Sequence, residues 1–405
     1  MKKNYLITIF TSIFLIIIIS SIQMLFFRDD TSKLLKVGFL YVGDSSTSYT
    51  GNFIKTEKSL TNKYGTNIQI ISKKNVPESN CEPVLMELIS ENCDIIFSTS
   101  YGFGESVKKA AEKNPHIQFC QATCSNANEE PILKNYHTFM GKIFEGRYVS
   151  GVIAGLKLQE LINQKKITKE QAKIGYVGAF PLPEVISGYT AFILGIKSIV
   201  PEATMIVKYT NSWTDYNTEK KITEELIQKD CVIISQHSDT VGPAIACEEA
   251  NKSKIVYLVS YNQSMATFAP TTYLCGSKIN WEPYILNAVD AVYNNKEFSK
   301  TIDATFFGND ATAGFDKNWV QMLEMNEISI APGTKEKVEK TIELLNKNKI
   351  DVFYGNYIGV NPENPNDIID LNTPYIENSF SSAQTFNYIL KDVVFESLKK
   401  EGGVS

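Results

Sequence analysis

A repeated alternation of strand-like and helix-like segments, beginning near Leu35, restricts the fold more than any other feature. Short β-rich runs at 35–42, 68–72, 94–98, 117–121, 173–177, 204–209, 232–236 and 254–260 are each followed by a helical pattern. The helices are expected to begin near Gly51, Glu82, Gly104, Glu145, Glu184, Tyr216, Gly242 and Asn280. Alternation at this spacing builds βαβ units, whose right-handed crossovers give parallel sheets covered on both faces. Eight such strands are many for one open sheet, and 405 residues suit two domains of ordinary size. The expected architecture is therefore α/β: two doubly wound lobes joined by hinge segments. An extra short strand at 136–141 marks one crossing, and a second follows Ser260. On this reading the first lobe holds 36–141 plus 262–297, and the second holds 142–261 plus 298–400. The segment after Tyr357 reads as a loop followed by a lobe-packing helix near 384–399.

Residues 5–27 form an uncharged run behind Lys2 and Lys3. That is roughly the 20 residues that cross a bilayer, and the lysines keep the start cytoplasmic. Ser20-Ser21 offers only a weak cleavage site, and the apolar run continues past it to Phe27. Residues 1–30 are read as an uncleaved transmembrane signal anchor in preference to a cleaved signal peptide. Either way the rest of the chain stands on the extracytoplasmic face of the membrane.

Composition is globular, with 43% apolar and 21% charged residues, and a net charge of -5 gives no reason to expect a nucleic-acid partner. The seven cysteines are odd in number and irregular in spacing, unlike a disulfide framework or a zinc site. They read as small core residues, with a tight Cys120–Cys124 bridge as the alternative. Unpaired cysteines on an exported domain suit a poorly oxidising habitat.

Ligands of open α/β sheets sit outside the carboxyl ends of the strands. Those ends supply Asp44, Tyr49 and Asn52 after the first strand, and Ser100, Tyr101 and Phe103 after the third. Gln121 follows the fourth, Phe180 the fifth and Trp213 the sixth. His237 and Asp239 follow the seventh, and Tyr261 and Asn262 the eighth. Trp281 opens a helix in I-N-W-E-P-Y and falls either in the core or in the cleft. Aromatic faces with neutral hydrogen-bonding groups suit a flat, uncharged, polar molecule such as a sugar or nucleobase. No Lys or Arg stands at these ends, so phosphate or carboxylate fits badly.

An enzyme would need more. There is no P-loop, no G-x-G-x-x-G opening the first helix and no G-x-S-x-G elbow. In V-I-I-S-Q-H-S-D-T (232–240), His237 and Asp239 stand two apart and point the same way if the strand continues. A metal site would need His116 or His137 as a third ligand. We assign the pair to hydrogen bonding at a ligand, and expect no metal, no cofactor and no catalysis.

Several segments then occur in a telling order: G-R-Y-V-S-G-V-I-A-G (146–155), I-G-Y-V-G-A-F-P-L-P-E-V-I-S-G (174–188), S-I-V-P-E-A-T (198–204), T-N-S-W (210–213), S-Q-H-S-D-T (235–240) and I-N-W-E-P-Y (279–284). A-P-G-T-K-E-K-V (331–338) and D-V-F-Y-G-N (351–356) follow. Together they resemble the basic membrane protein family of substrate-binding proteins, the purine-nucleoside receptors of ABC importers, from about Leu35 to Tyr357. The resemblance implies a type I periplasmic-binding fold that closes on a purine base or nucleoside, functions as a monomer and delivers its ligand to a membrane permease. Phe180, Trp213 and Asp239 match the family's motif segments in the second lobe, where aromatics stack the base and acids or amides bind ribose. Asn262 stands where many relatives have aspartate, and the loop from Gly43 to Phe53 departs from the family's first-lobe pattern. The tryptophan-containing branch is associated with free purine base, which keeps adenine-like ligands open. Relatives usually carry a lipobox cysteine, which this chain lacks. A permanent tether also allows a ligand sensor that signals to another membrane protein; a nucleoside or sugar hydrolase is the third reading.

Overall fold

The computed structural model describes residues 34–397. The expected anchor at 1–30 lies outside the described residues, among which no helix is long and apolar enough to cross a membrane.

The first part of the chain forms β1 (Leu35–Leu40), β2 (Ile68–Lys73), β3 (Ile95–Ser98), β4 (Gln118–Ala122) and β5 (Tyr136–Gly141). The helices α1 (Ser48–Tyr64), α2 (Cys81–Ser90) and α3 (Gly104–Lys113) connect the first four. Helix α4 (Ile143–Asn163) leads to β6 (Lys173–Gly178), β7 (Thr204–Tyr209), β8 (Ile233–His237), β9 (Tyr257–Tyr261) and β10 (Tyr273–Ile279). These enclose α5 (Pro183–Lys197), α6 (Tyr216–Gln228) and α7 (Gly242–Ala250). Then come α8 (Glu282–Tyr293), β11 (Thr305–Phe307), β12 (Asp310–Ala313) and β13 (Val320–Met322).

Two seven-stranded sheets result, in the orders β11-β12-β5-β4-β3-β1-β2 and β13-β10-β9-β8-β6-β7 with one late strand beyond β7. Pairing is parallel except for β11 on β12 and β13 on β10. The run I-I-F-S of β3 is buried at every residue, as expected of a strand covered on both faces. Phe53, Trp281 and Tyr284 fill one side of the first sheet, and Leu85, Val107 and Ile117 the other.

The pairing moves the expected lobe boundaries. β10 pairs with β9 in the second sheet, although 262–297 was assigned to the first lobe. β11 and β12 extend the first sheet through β5, although 298–400 was assigned to the second. The β10 segment is a buried strand whose backbone finds its partner in β9, so the chain recrosses only after Ile279. Three crossings follow, near 141–143, 279–281 and 313–320, and they are laced together. Lys142 N donates to Ala313 O (2.9 Å), and Asn280 N donates to Trp319 O (2.7 Å). Phe315 N donates to the Glu145 carboxylate (3.0 Å).

The expected terminal helix is not formed. β14 (Ile358–Asn361), β15 (Asn364–Asp370) and β16 (Ile389–Leu390) make a small antiparallel sheet, and β17 (Val394–Ser397) adds in parallel to β7. Asp392 sits at φ 57°, which breaks the apolar periodicity that suggested a helix, and Val393-Val394-Phe395 favours an extended chain. The loop before β16 reaches back to the first lobe, where Ser382 N donates to the buried Asp310 carboxylate (2.6 Å).

Helices α4 and α5 meet at glycines. A Cβ on Gly151 would stand 2.1 Å from Phe192 O, and one on Gly195 would stand 2.1 Å from Tyr148 O. The G-V-I-A-G segment is therefore a packing device. All seven cysteines are buried and free, and the Cys120–Cys124 bridge is not formed. Burial pushes every one of these thiols above its ordinary value.

Candidate ligand-binding cleft

The carboxyl ends of both sheets face a cavity of about 380 Å³ between the lobes, within the roughly 300–1,000 Å³ typical of small-molecule sites. The first lobe lines it from the β1–α1 turn (Thr47, Tyr49, Thr50), from Asn75, from Thr99–Tyr101 after β3 and from Thr123 after β4. The second lobe contributes Phe180 and Glu184 after β6, Asn211–Thr214 after β7, His237–Asp239 after β8, and Tyr261 and Asn262 after β9. Among the described lining residues there is no lysine or arginine.

Local backbone explains much of this placement. Asn211 and Asn262 end their strands at φ 59° and 62°, a left-handed conformation that asparagine tolerates. Thr123 adopts φ 65°, unusual for a β-branched residue, where β4 turns away from the cavity. Asp215 caps α6 by accepting from Thr218 N (3.0 Å), which fixes the loop that presents Trp213. Asp239 N donates to Trp213 O (2.9 Å), and the buried Glu219 accepts from Ser238 Oγ (2.8 Å) and Thr240 N (3.2 Å). The Trp213 and Asp239 loops are thus one unit.

The aromatic groups form a broken ring. Trp213 and Phe180 lie 5.5 Å apart, ring centre to ring centre, and His237 lies 4.5 Å from Tyr261. Behind Tyr261 the fully buried Arg147 places its guanidinium 3.8 Å from the ring centre. Its Nη2 donates to Gln236 O (3.0 Å), while Nε and Nη1 have no partner among the described residues.

Ser48 and Asn52 of the first lobe hydrogen-bond to the second lobe across the cleft. Ser48 Oγ donates to Asp239 Oδ1 (2.7 Å), and Asn52 Nδ2 donates to Asn262 O (3.0 Å). The two lobes meet at the cavity, and Asp239 is half-buried where they touch. Burial, reinforced by Glu219 and Glu184, pushes its carboxyl up to about 7 against the lowering effect of Ser48. His237 moves the other way: burial and the Arg147 charge push it down to about 4, so its ring is neutral near pH 7.

Nine of the expected residues meet at the cavity: Tyr49, Ser100, Tyr101, Phe180, Trp213, His237, Asp239, Tyr261 and Asn262. The other five stand outside its lining. Asp44 accepts from Ser46 N and Asn75 Nδ2 and so holds the loop that presents Asn75. Asn52 faces the seam between the lobes. Gln121 braces the β3 turn through Ser98 Oγ and Ser100 O. Phe103 is fully buried in the first-lobe core. Trp281 stacks on Phe53 at 4.3 Å and is 1% exposed; turning such a ring out of the core would forfeit roughly 5 kcal/mol of burial. His137 stacks on Phe298 and lines a separate groove with His116, so neither reaches His237.

Glu184, Asn75 and Thr50 line the cavity without having been expected there. The signal for Glu184 was present in P-L-P-E, because Pro183 opens α5 and places an acid in its first turn, beside the strand end.

A family model described as ABC transporter substrate-binding protein PnrA-like matches residues 35–351. A purine-binding protein of Brucella abortus is 27% identical over 323 residues, 79% of this chain and 83% of that protein. A putative ABC transporter glucose-binding protein of Haloferax volcanii is 29% identical over 280 residues, 69% of this chain and 64% of that protein. An ABC transporter solute-binding protein from Aeropyrum pernix K1 shares the fold, with a TM-score of 0.64 at 15% identity over 78% of this chain and 92% of that one.

Proposed function

The chain belongs to the family of PnrA-like ABC transporter substrate-binding proteins, and on that premise we propose that its cleft captures a purine base or purine nucleoside. Members of the family are extracytoplasmic solute-binding proteins with a ligand and a permease as partners, and that much applies to this chain directly. The purine reading rests above all on the lining of the cavity: Trp213 and Phe180 offer aromatic surface to a flat ring, neutral and acidic acceptors surround them, and among the described lining residues there is no lysine or arginine to hold a phosphate. The resemblance to the Brucella abortus protein, named for purine binding, points the same way.

In this mechanism the ring lies against the edge-to-face pair Phe180 and Trp213 of the second lobe, and the first lobe closes through Ser48 and Asn52. Closure shields Asp239 in part from water, which raises the value of any ligand hydrogen bond to it. The permease then reads the closed form.

A thermal-shift screen of purine bases, nucleosides and glucose tests the reading, with ligand recovered intact by chromatography afterwards. Stabilisation by purines alone is expected. Stabilisation by glucose and by no purine overturns the assignment, and release of free base from a nucleoside would indicate a hydrolase.

A further inference from the structure

We propose that Glu184 is the specificity-determining acceptor of this cleft, and that it selects purines whose edge carries two adjacent N–H donors, guanine and guanosine, over adenine and adenosine. The inference rests on the purine reading and deepens it.

Glu184 stands in the first turn of α5 and lines the cavity, with its side chain 23% exposed. One carboxylate oxygen, Oε1, lies 3.4 Å from His237 Nε2, and no other protein hydrogen bond to the carboxylate is present among the described residues. On the far side of the imidazole, Nδ1 lies 3.4 Å from the Tyr176 hydroxyl. A neutral imidazole carries one N–H. The phenol has no other acceptor among the described residues, so it donates to Nδ1 and leaves Nε2–H to donate to Glu184. Gly188 keeps the ring in place by leaving it room: a Cβ there would stand 2.9 Å from Nδ1. Tyr176 and His237 are therefore positioning residues that hold Glu184 as an acceptor aimed into the cavity.

A planar carboxylate accepts two parallel N–H groups well and meets a lone pair badly. The guanine edge offers N1–H beside the 2-amino group. Hypoxanthine keeps only N1–H, and adenine sets its 6-amino group beside a bare ring nitrogen. The other cavity acid is differently placed, because Asp239 already accepts from Ser48 across the lobes.

Titration calorimetry with guanosine, inosine, adenosine and their free bases tests this in the wild-type protein and in Glu184→Gln. The expected order is guanine-type, then hypoxanthine-type, then adenine-type, with at least tenfold between the first and last. Glu184→Gln should collapse or invert that ratio, since an amide pairs with a donor beside an acceptor. Tyr176→Phe, which frees the histidine tautomer, should narrow the ratio by two- to fivefold without losing purine binding. His237→Gln, which restores an N–H donor, should keep more selectivity than His237→Phe. Wild-type protein that prefers adenine, or Glu184→Gln protein whose ratio stays within twofold of wild type, overturns the proposal. Wild-type protein that binds no purine overturns the proposed function itself.

Discussion

On the first-lobe wall of the cleft the lining includes Tyr49, Thr50, Thr99, Ser100, Tyr101 and Thr123, rings and hydroxyls with no carboxylate among them. On the second-lobe wall stand Glu184, His237 and Asp239, with Trp213 and Phe180 beside them. Both walls are braced from behind, the second through Glu219, Asp215 and the buried Arg147 and the first through Gln121 and Asp44. Such a division suits a reader and a cover: one lobe discriminates, and the other excludes water and completes Asp239 through Ser48.

Substitutions on the two walls test that division directly. The largest loss is expected for Asp239→Ala, because a hydrogen bond to a charged group contributes about 1.5–3 kcal/mol, or about ten- to a hundredfold in affinity by calorimetry. An effect under twofold would move recognition off the second wall. Trp213→Ala should cost about tenfold, through lost stacking and lost contact area. Acidity supplies the third test. The Asp239 carboxyl, raised from 3.8 to about 7, is protonated below that pH and then loses its charge and one of its two acceptor oxygens. Affinity should therefore fall as pH drops from 8 to 6, and Asp239→Asn should flatten the profile. The same group bears on folding with a definite sign. Between pH 3.8 and about 7 the native form holds a proton that the unfolded chain has released, so its contribution to stability declines as pH rises through that window. Asp239→Asn should accordingly melt higher than wild type at pH 8 and equally at pH 3.5, if the ligand-free protein is compared. The smallest effect belongs to the cover: Tyr101 is 66% exposed at the mouth, and Tyr101→Ala should cost threefold or less.

The strand-end rule led to this cavity because its physics is topological. A parallel sheet delivers whatever follows each strand to one rim, so Trp213, His237 and Asp239 were legible from position alone. The rule does not specify side-chain direction. Gln121 and Phe103 share that rim with Ser100 and Tyr101, but one braces a turn and the other turns into the core. Glu184 escaped notice because it reaches the rim from a helix rather than from a strand end. The lobe boundaries failed for a related reason: whether β10 joins β9 or recrosses is decided by long-range pairing, which local periodicity does not encode. At the C-terminus, apolar spacing suggested a helix, whereas β17 draws its stability from the open edge of β7.

The glycine contact between α4 and α5 sets more than a packing distance. α4 leaves the crossing at Lys142, and α5 begins beside the cavity with Glu184. With Gly151 and Gly195 bringing the two backbones together, no compliant side chain lies between them. The pair is a stiff lever with its fulcrum at the crossing and a carboxylate at its working end. In the proposed function, that arm would carry a rotation at the crossing to the carboxylate, and the pull of a ligand on the carboxylate back to the crossing.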